Sequence, residues 1–174
     1  AESELATHSD RHDLLSSKLQ AVIENYDFIM IDCPPSLGLL TINALAASRE
    51  LIVPMQAHFL ALQGVSRLFE TVSMLVAGLN PNLQVTGVVL CMHERNTNLA
   101  REVVSDLQEF FNASRDQQVP WRNCTILDPP IRRNVKLAEA PSFGKTIFDY
   151  EPKCAGANDY RKLVESVIAA ESTN

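Results

Sequence analysis

No run of about 18 apolar residues occurs anywhere in the 174-residue sequence, so no helix made from it is built to cross a bilayer. A positively charged start followed by an apolar signal-type stretch is missing as well, and with it any reason to expect export. There is no C-x-x-C pair. Cys33, Cys91, Cys124 and Cys154 stand far apart and mostly beside apolar runs, a pattern of reduced thiols that places the protein in the cytoplasm. Positive charge is scarce: the net charge is -6, which excludes wholesale coating of nucleic acid and requires any DNA contact to come from a local patch. Enzyme signatures fail at single positions. His93-Glu94 has no second histidine to make H-E-x-x-H, Ser36 lacks the flanking glycines of a nucleophile elbow, and His8 and His12, four apart, have no third metal ligand near in sequence. Internal repeats and low-complexity stretches are absent too.

What is present is apolar residues in alternating patterns. At 46% apolar content, the chain can bury one core, and residues 1–174 read as a single domain. Leu14, Leu15, Leu19, Val22 and Ile23 predict a helix between Ser9 and Glu24, with Ser9 or Asp10 as N-cap. Phe28-Ile29-Met30-Ile31 is a continuous apolar run ended by Asp32 and Pro34-Pro35, the pattern of a strand buried on both faces. A short helix over Thr41 to Ser48 follows, then a strand over Leu51 to Val53 stopped at Pro54, and a long helix from Leu62 to Leu79. Val85 to Met92 predicts a strand, Asn98 to Phe111 a helix, Cys124 to Leu127 an edge strand, and Ala157 to Ala170 a closing helix. Asn112 to Trp121 reads as a polar loop anchored by Trp121, and Met55, Met74 and Met92 as core filling. The tail helix is amphipathic, but no Lys or Arg follows Lys162, so it reads as packed rather than membrane-bound.

This βαβα rhythm implies an α/β fold, a doubly wound and mostly parallel sheet with helices on both faces. Such sheets place their functional crevice at the carboxyl ends of the strands, here Asp32, Met55 to Ala57, and Met92 to Asn96. An acid delivered there by an apolar strand can hold magnesium through water beside nucleotide phosphates, or merely cap the next helix.

The surrounding string narrows the choice. Tyr26-Asp27-Phe28-Ile29-Met30-Ile31-Asp32-Cys33-Pro34-Pro35-Ser36-Leu37-Gly38-Leu39-Leu40-Thr41-Ile42-Asn43-Ala44-Leu45 resembles, almost residue for residue, the Walker B and switch II segment of ParA/Soj partition ATPases, P-loop NTPase-like proteins of the deviant Walker type. Val53-Pro54-Met55-Gln56, Ala61-Leu62-Gln63-Gly64, Gly87 to Leu90 and Arg95-Asn96-Thr97-Asn98 follow in the family's order. The run from Arg133 through Ala138-Glu139-Ala140-Pro141-Ser142-Phe143-Gly144-Lys145-Thr146-Ile147, with Tyr150 and Gly156-Ala157, is similarly characteristic.

The resemblance implies that Asp32 is the catalytic Walker B acid near a water-bridged Mg2+, and that Pro35 to Gly38 form the switch that senses the γ-phosphate of ATP. It implies a base-binding segment around Pro130, Arg132 and Asn134, and basic residues Arg95, Arg132, Arg133 and Lys136 for non-specific DNA, helped by Lys153, Arg161 or Lys162. It further implies an ATP-bound homodimer, a ParB-like activator protein, a cytoplasmic and nucleoid-associated location, and no membrane. The function expected is chromosome or plasmid partitioning driven by ATP hydrolysis.

One element departs from the family pattern. The glycine-rich loop K-G-G-x-x-K-T, whose backbone N–H groups cradle phosphates, does not occur in these residues. Gly144-Lys145-Thr146 does not replace it, because Glu139 stands where the loop needs a glycine. The sequence is thus expected to be the C-terminal two-thirds of a ParA-like domain, able to complete a nucleotide site but inactive alone. The alternatives are a non-catalytic remnant or adaptor that docks on a partner protein or DNA, and a cluster-positioning ATPase.

Overall fold

The computed structural model describes residues 7–8, 11–34, 36–94 and 97–171. Its centre is three parallel strands, β1 (Glu50–Gln56), β2 (Gln84–Cys91) and β3 (Thr125–Ile126), in the order β1-β2-β3. β2 lies in the middle, and Val85, Val88, Val89 and Leu90 are all buried, which is why Val88 to Cys91 reads as a continuous apolar run. β1 continues past Pro54 to Gln56 rather than stopping there, with Pro54 opposite Val89 in the register. A proline is tolerated in such an outer strand because its missing N–H need not face the ladder.

Two long helices cover one face. α3 (Phe59–Gly78) and α4 (Asn98–Ser114) direct Val65, Phe69, Val72 and Leu75, and Val103, Leu107 and Phe111, into a shared core at helical spacing. The earlier helix α2 (Leu39–Ala47) adds Leu45 to the same core. α4 begins where Thr97 caps it, its hydroxyl oxygen accepting the Ala100 N–H at 3.2 Å. Trp121 is the anchor expected: it stacks on Phe69 at 5.0 Å and its indole N–H donates to the Ser114 hydroxyl at 3.1 Å. The opposite face carries a smaller cluster of Val89, Ile131 and Leu163, the last from the closing helix α7 (Ala155–Glu171). Helices therefore cover both faces of a parallel sheet, as the alternating pattern predicted.

Two glycines let these layers close. A Cβ on Gly87 in β2 would lie 2.6 Å from the side chain of Leu127, and one on Gly156 in α7 would lie 2.7 Å from Leu137, which belongs to α5 (Val135–Glu139). Between them a short helix α6 (Ile147–Tyr150) and a 3-10 turn over Ala140–Phe143 complete the chain. α5 and α6 did not show in the apolar pattern.

Several expectations are corrected. Phe28 to Ile31 is not a buried strand: it has no ladder partner among the described residues, and Met30 is 93% exposed. Apolar content marks a segment for burial, but a strand also needs hydrogen bonds along an edge, and the described sheet ends at β1. The opening helix is only α1 (Leu14–Leu19), followed by a 3-10 turn at Ile23–Asn25, with no buried residue in either; Ser9 and Asp10 lie outside the described residues. So short a helix without core packing does not propagate. Asn43 holds it to α2, its side-chain oxygen accepting the Leu15 N–H at 3.4 Å. Met74 and Met92, expected in the core, are 68% and 55% exposed, while Met55 is buried. The polar loop expected over residues 112–121 is helical through Ser114.

Candidate nucleotide-binding site

The strand ends are joined by a short chain of backbone bonds. The Ile131 N–H donates to the Leu90 carbonyl at 2.8 Å and the His93 N–H to the Ile131 carbonyl at 2.9 Å, so the segment after β3 runs alongside the end of β2 and bridges His93 to Arg132. Met92 takes the left-handed backbone conformation, φ 48°, which turns the chain at the carboxyl end of β2. The peptide bond between Asp128 and Pro129 is cis. Behind this turn lies a cavity of about 500 Å³ whose lining includes Leu90, His93, Ala100, Arg101, Val104 and Pro130. Its lining mixes these apolar side chains with His93, Arg101, Ser105, Gln108 and Asp128.

Pro130 lines this cavity. Arg132 is engaged elsewhere. Its guanidinium donates from Nε and Nη2 to the two carboxylate oxygens of Asp159 at 2.7 Å each, and its backbone N–H donates to the same group at 3.2 Å. Asp159 is only 2% exposed, and its hydrogen bonds hold the arginine still more firmly protonated than usual. A buried carboxylate needs such a fork, because an unpaired one is costly to keep ionised. The sequence reading did not weigh Asp159, although its position on α7 between buried Gly156 and Leu163 marks an acid on an otherwise inward face.

Asn134 is likewise occupied, as N-cap of α5: its side-chain oxygen accepts the Lys136 N–H at 2.9 Å. Lys136 Nζ donates to Glu139 Oε2 at 2.8 Å, and the Tyr150 hydroxyl donates to the same oxygen at 3.0 Å. Those hydrogen bonds, Lys136 first and Tyr150 second, hold the Glu139 carboxyl below its ordinary range, and they raise Lys136 and Tyr150. Arg133 pairs with Glu94 at 3.2 Å, both well exposed. Arg95 lies outside the described residues. The basic residues expected to meet DNA therefore carry carboxylate partners in Arg132, Arg133 and Lys136.

Asp32 lies on a separate segment, exposed at the end of the apolar run Phe28 to Ile31. Burial, with a smaller contribution from Asp32, pushes the neighbouring Cys33 thiol up. After it the chain turns. Pro35 lies outside the described residues, but the Ser36 carbonyl accepts the Thr41 hydroxyl at 2.6 Å, and Gly38 stands extended as N-cap of α2. A buried threonine thus fixes the turn that follows the acid.

Known proteins resemble this chain along almost its whole length. A family model described as an AAA domain matches residues 1–85. The sporulation initiation inhibitor protein Soj of Bacillus subtilis is 43% identical over 169 residues, 97% of this chain and 62% of that protein. The chromosome partitioning protein ParA of Caulobacter vibrioides is 39% identical over 172 residues, 98% of this chain and 60% of that protein. Among solved structures, cobyrinic acid a,c-diamide synthase of Mycobacterium smegmatis with bound ADP and magnesium superposes with a TM-score of 0.71 at 29% identity, over 96% of this chain and 56% of that one. The chain spans about 60% of the length of these curated relatives.

Proposed function

We propose that this chain belongs to the ParA/Soj family of chromosome-partitioning ATPases and forms the magnesium-acid, base-binding and DNA-facing part of such an ATPase. The observation that carries this reading is the 43% identity to a Soj protein over 97% of the chain, and the resemblance of Tyr26 to Leu45 to the family's Walker B segment supports Asp32 as its acid.

The described residues fit part of a nucleotide. Asp32 is an exposed single carboxylate, and magnesium takes one or two carboxylates and keeps several waters beside phosphates. The cavity at Pro130 is large enough for a base, whose edge would meet backbone between Asp128 and Asn134. With Asn134 and Arg132 committed to other partners, Pro130 and the backbone are the contacts this segment has to offer. The triphosphate does not fit, because these residues include no anion cradle, so no hydrolytic step is assigned to them alone. When bound, magnesium supplies charge neutralisation at the phosphates. Asp32 orients it through water, and the turn pinned by Thr41 follows the acid as the family's switch.

The DNA-facing part rests on charge. Seven of the 15 Lys and Arg lie between Arg132 and Lys162, against four of the 21 Asp and Glu, so this stretch is basic within an acidic chain. In the ATP-bound homodimer the patch is doubled, and a ParB-like activator times its release.

Two measurements test the reading. Calorimetric titration of the 174-residue chain with Mg-ATP shows no binding; a dissociation constant in the low micromolar range would mean that a phosphate site exists among residues read otherwise. In a polypeptide of the relatives' full length, Asp32→Ala lowers ATP hydrolysis by about 100-fold or more, through misplaced magnesium and water. Unchanged turnover removes Asp32 from the active site and leaves the likeness as one of fold.

A further inference from the structure

Phe143 is a large apolar ring held in the open. It is 63% exposed, yet it is not loose: its ring stacks on Tyr150 with centroids 5.0 Å apart and planes 21° apart. Tyr150 is itself fixed, its hydroxyl donating to Glu139 at 3.0 Å and its ring lying 5.8 Å from the Lys136 ammonium. The chain around Phe143 is equally set. Gly144 takes the left-handed conformation, φ 62°, its N–H donates to the Pro141 carbonyl at 3.0 Å, and the Lys145 N–H donates to the Ala140 carbonyl at 3.2 Å. Thr146 then caps α6 through the Asp149 N–H.

We propose that Phe143, backed by Tyr150, is a stacking platform for an unpaired nucleobase of single-stranded DNA. The inference rests on the reading that the basic stretch from Arg132 to Lys162 meets DNA. Three observations favour a base. The exposed ring lies two residues before Lys145 in the sequence, within that basic stretch, so a phosphate backbone is drawn to the segment. Glu139, which accepts from the Tyr150 hydroxyl, has its charge paired with the Lys136 ammonium. Third, one face of Phe143 is already covered by Tyr150. A wedge driven between the stacked pairs of a duplex needs both ring faces, whereas a base that has left its stack needs one. Because the ring is already immobilised, stacking on it costs little ordering entropy.

The test is fluorescence anisotropy on the 174-residue chain at low salt, with labelled oligo-dT of about 12 nucleotides and a duplex of the same length as probes. Phe143→Ala weakens oligo-dT binding by about 5- to 150-fold, the range for loss of one stacked base, while Phe143→Tyr keeps it. The salt slope of Phe143→Ala matches the parent, since no phosphate contact is lost, and Lys145→Ala gives a slope shallower by about one contact. An unchanged thermal midpoint in Phe143→Ala is expected for so exposed a ring and assigns the loss to the surface. If free dTMP displaces the oligonucleotide at matched base concentration, the platform takes nucleotides, and single-stranded DNA as its source is overturned. Oligo-dT binding that ignores Phe143→Ala, or binding to duplex alone, overturns the platform and leaves the DNA reading intact. A chain that binds neither probe overturns the platform.

Discussion

Gly87→Ala is the sharpest perturbation the structure offers, because it joins the centre of the sheet to the candidate base cavity. Gly87 is buried in β2, and a Cβ there would lie 2.6 Å from Leu127 Cγ and Cδ1 and 2.9 Å from Cδ2. Contacts that short force a shift. The Leu127 N–H donates to the Val88 carbonyl at 2.9 Å, so its backbone is tied to the same strand and the side chain must give way. Leu127 is only half-buried and has somewhere to go, which places the cost of this overpacking at about 1–3 kcal/mol rather than beyond it. Leu127 also lines the cavity and immediately precedes Asp128 and Pro129, so its displacement shifts the wall against which a base would lie. The assay is urea unfolding of Gly87→Ala, Leu127→Ala and the double variant. Leu127→Ala makes room for the new methyl, and the cycle should show a favourable coupling of about 0.5–3 kcal/mol. The midpoint should fall for Gly87→Ala with an unchanged slope, since no extra surface is exposed. A Gly87→Ala protein as stable as the parent, or single effects that simply add, would refute the close packing of Leu127 on β2.

Two further outcomes follow from the site's electrostatics. Burial pushes the Cys124 thiol up from 9.0 to about 12, so the folded protein holds that proton more tightly than the unfolded chain does. The associated stability is complete below pH 9.0 and is lost as pH rises toward about 12, so the urea midpoint should fall across that window in the parent and less in Cys124→Ala; equal falls in both would deny the thiol this role. Arg132→Ala should lower the thermal midpoint by several degrees because it strips buried Asp159 of its fork, while Arg133→Ala, whose partner Glu94 is exposed, should leave it nearly unchanged. Equal midpoints in the two variants would show that Asp159 does not depend on Arg132.

The legible parts of the fold are those whose burial is written locally. Val72, Leu75 and Phe69 on α3, and Val103, Leu107 and Phe111 on α4, repeat at helical spacing because each helix lays one stripe on the sheet. Val88 to Cys91 in β2 is apolar without alternation because helices cover both sides. Phe28 to Ile31 has the same apolar run and a different fate, since what makes a strand is also the neighbour that bonds to it, and that neighbour is not written in the strand. α5 and α6 escaped for a related reason. At five and four residues they are too short to show a period, and they are set by caps, Asn134 and Thr146, whose oxygens accept N–H groups two and three residues on.

At the candidate site the positions could be named from sequence and the pairing could not. Asp32 at the end of an apolar run can be marked from residue type and order, whereas Pro130 is named only through the family resemblance. Whether a cation is available to a ligand depends on an acid that can lie anywhere in the chain. Arg132 meets Asp159 across 27 positions and Arg133 meets Glu94 across 39, and only Lys136, three residues from Glu139 on one helical turn, has a partner that spacing alone could have named. The same separation decides how the basic stretch works. Arg132 is held in the fold by a buried carboxylate, so its charge serves stability first. The partner of Arg133 is exposed and screened, and exchanging Glu94 for a phosphate costs it little. DNA contact in this chain should therefore shift away from Arg132 toward Arg133 and the lysines. Arg133→Glu should weaken duplex binding in a salt-dependent way at unchanged stability, whereas loss of binding in Arg132→Ala should appear only together with loss of the fold.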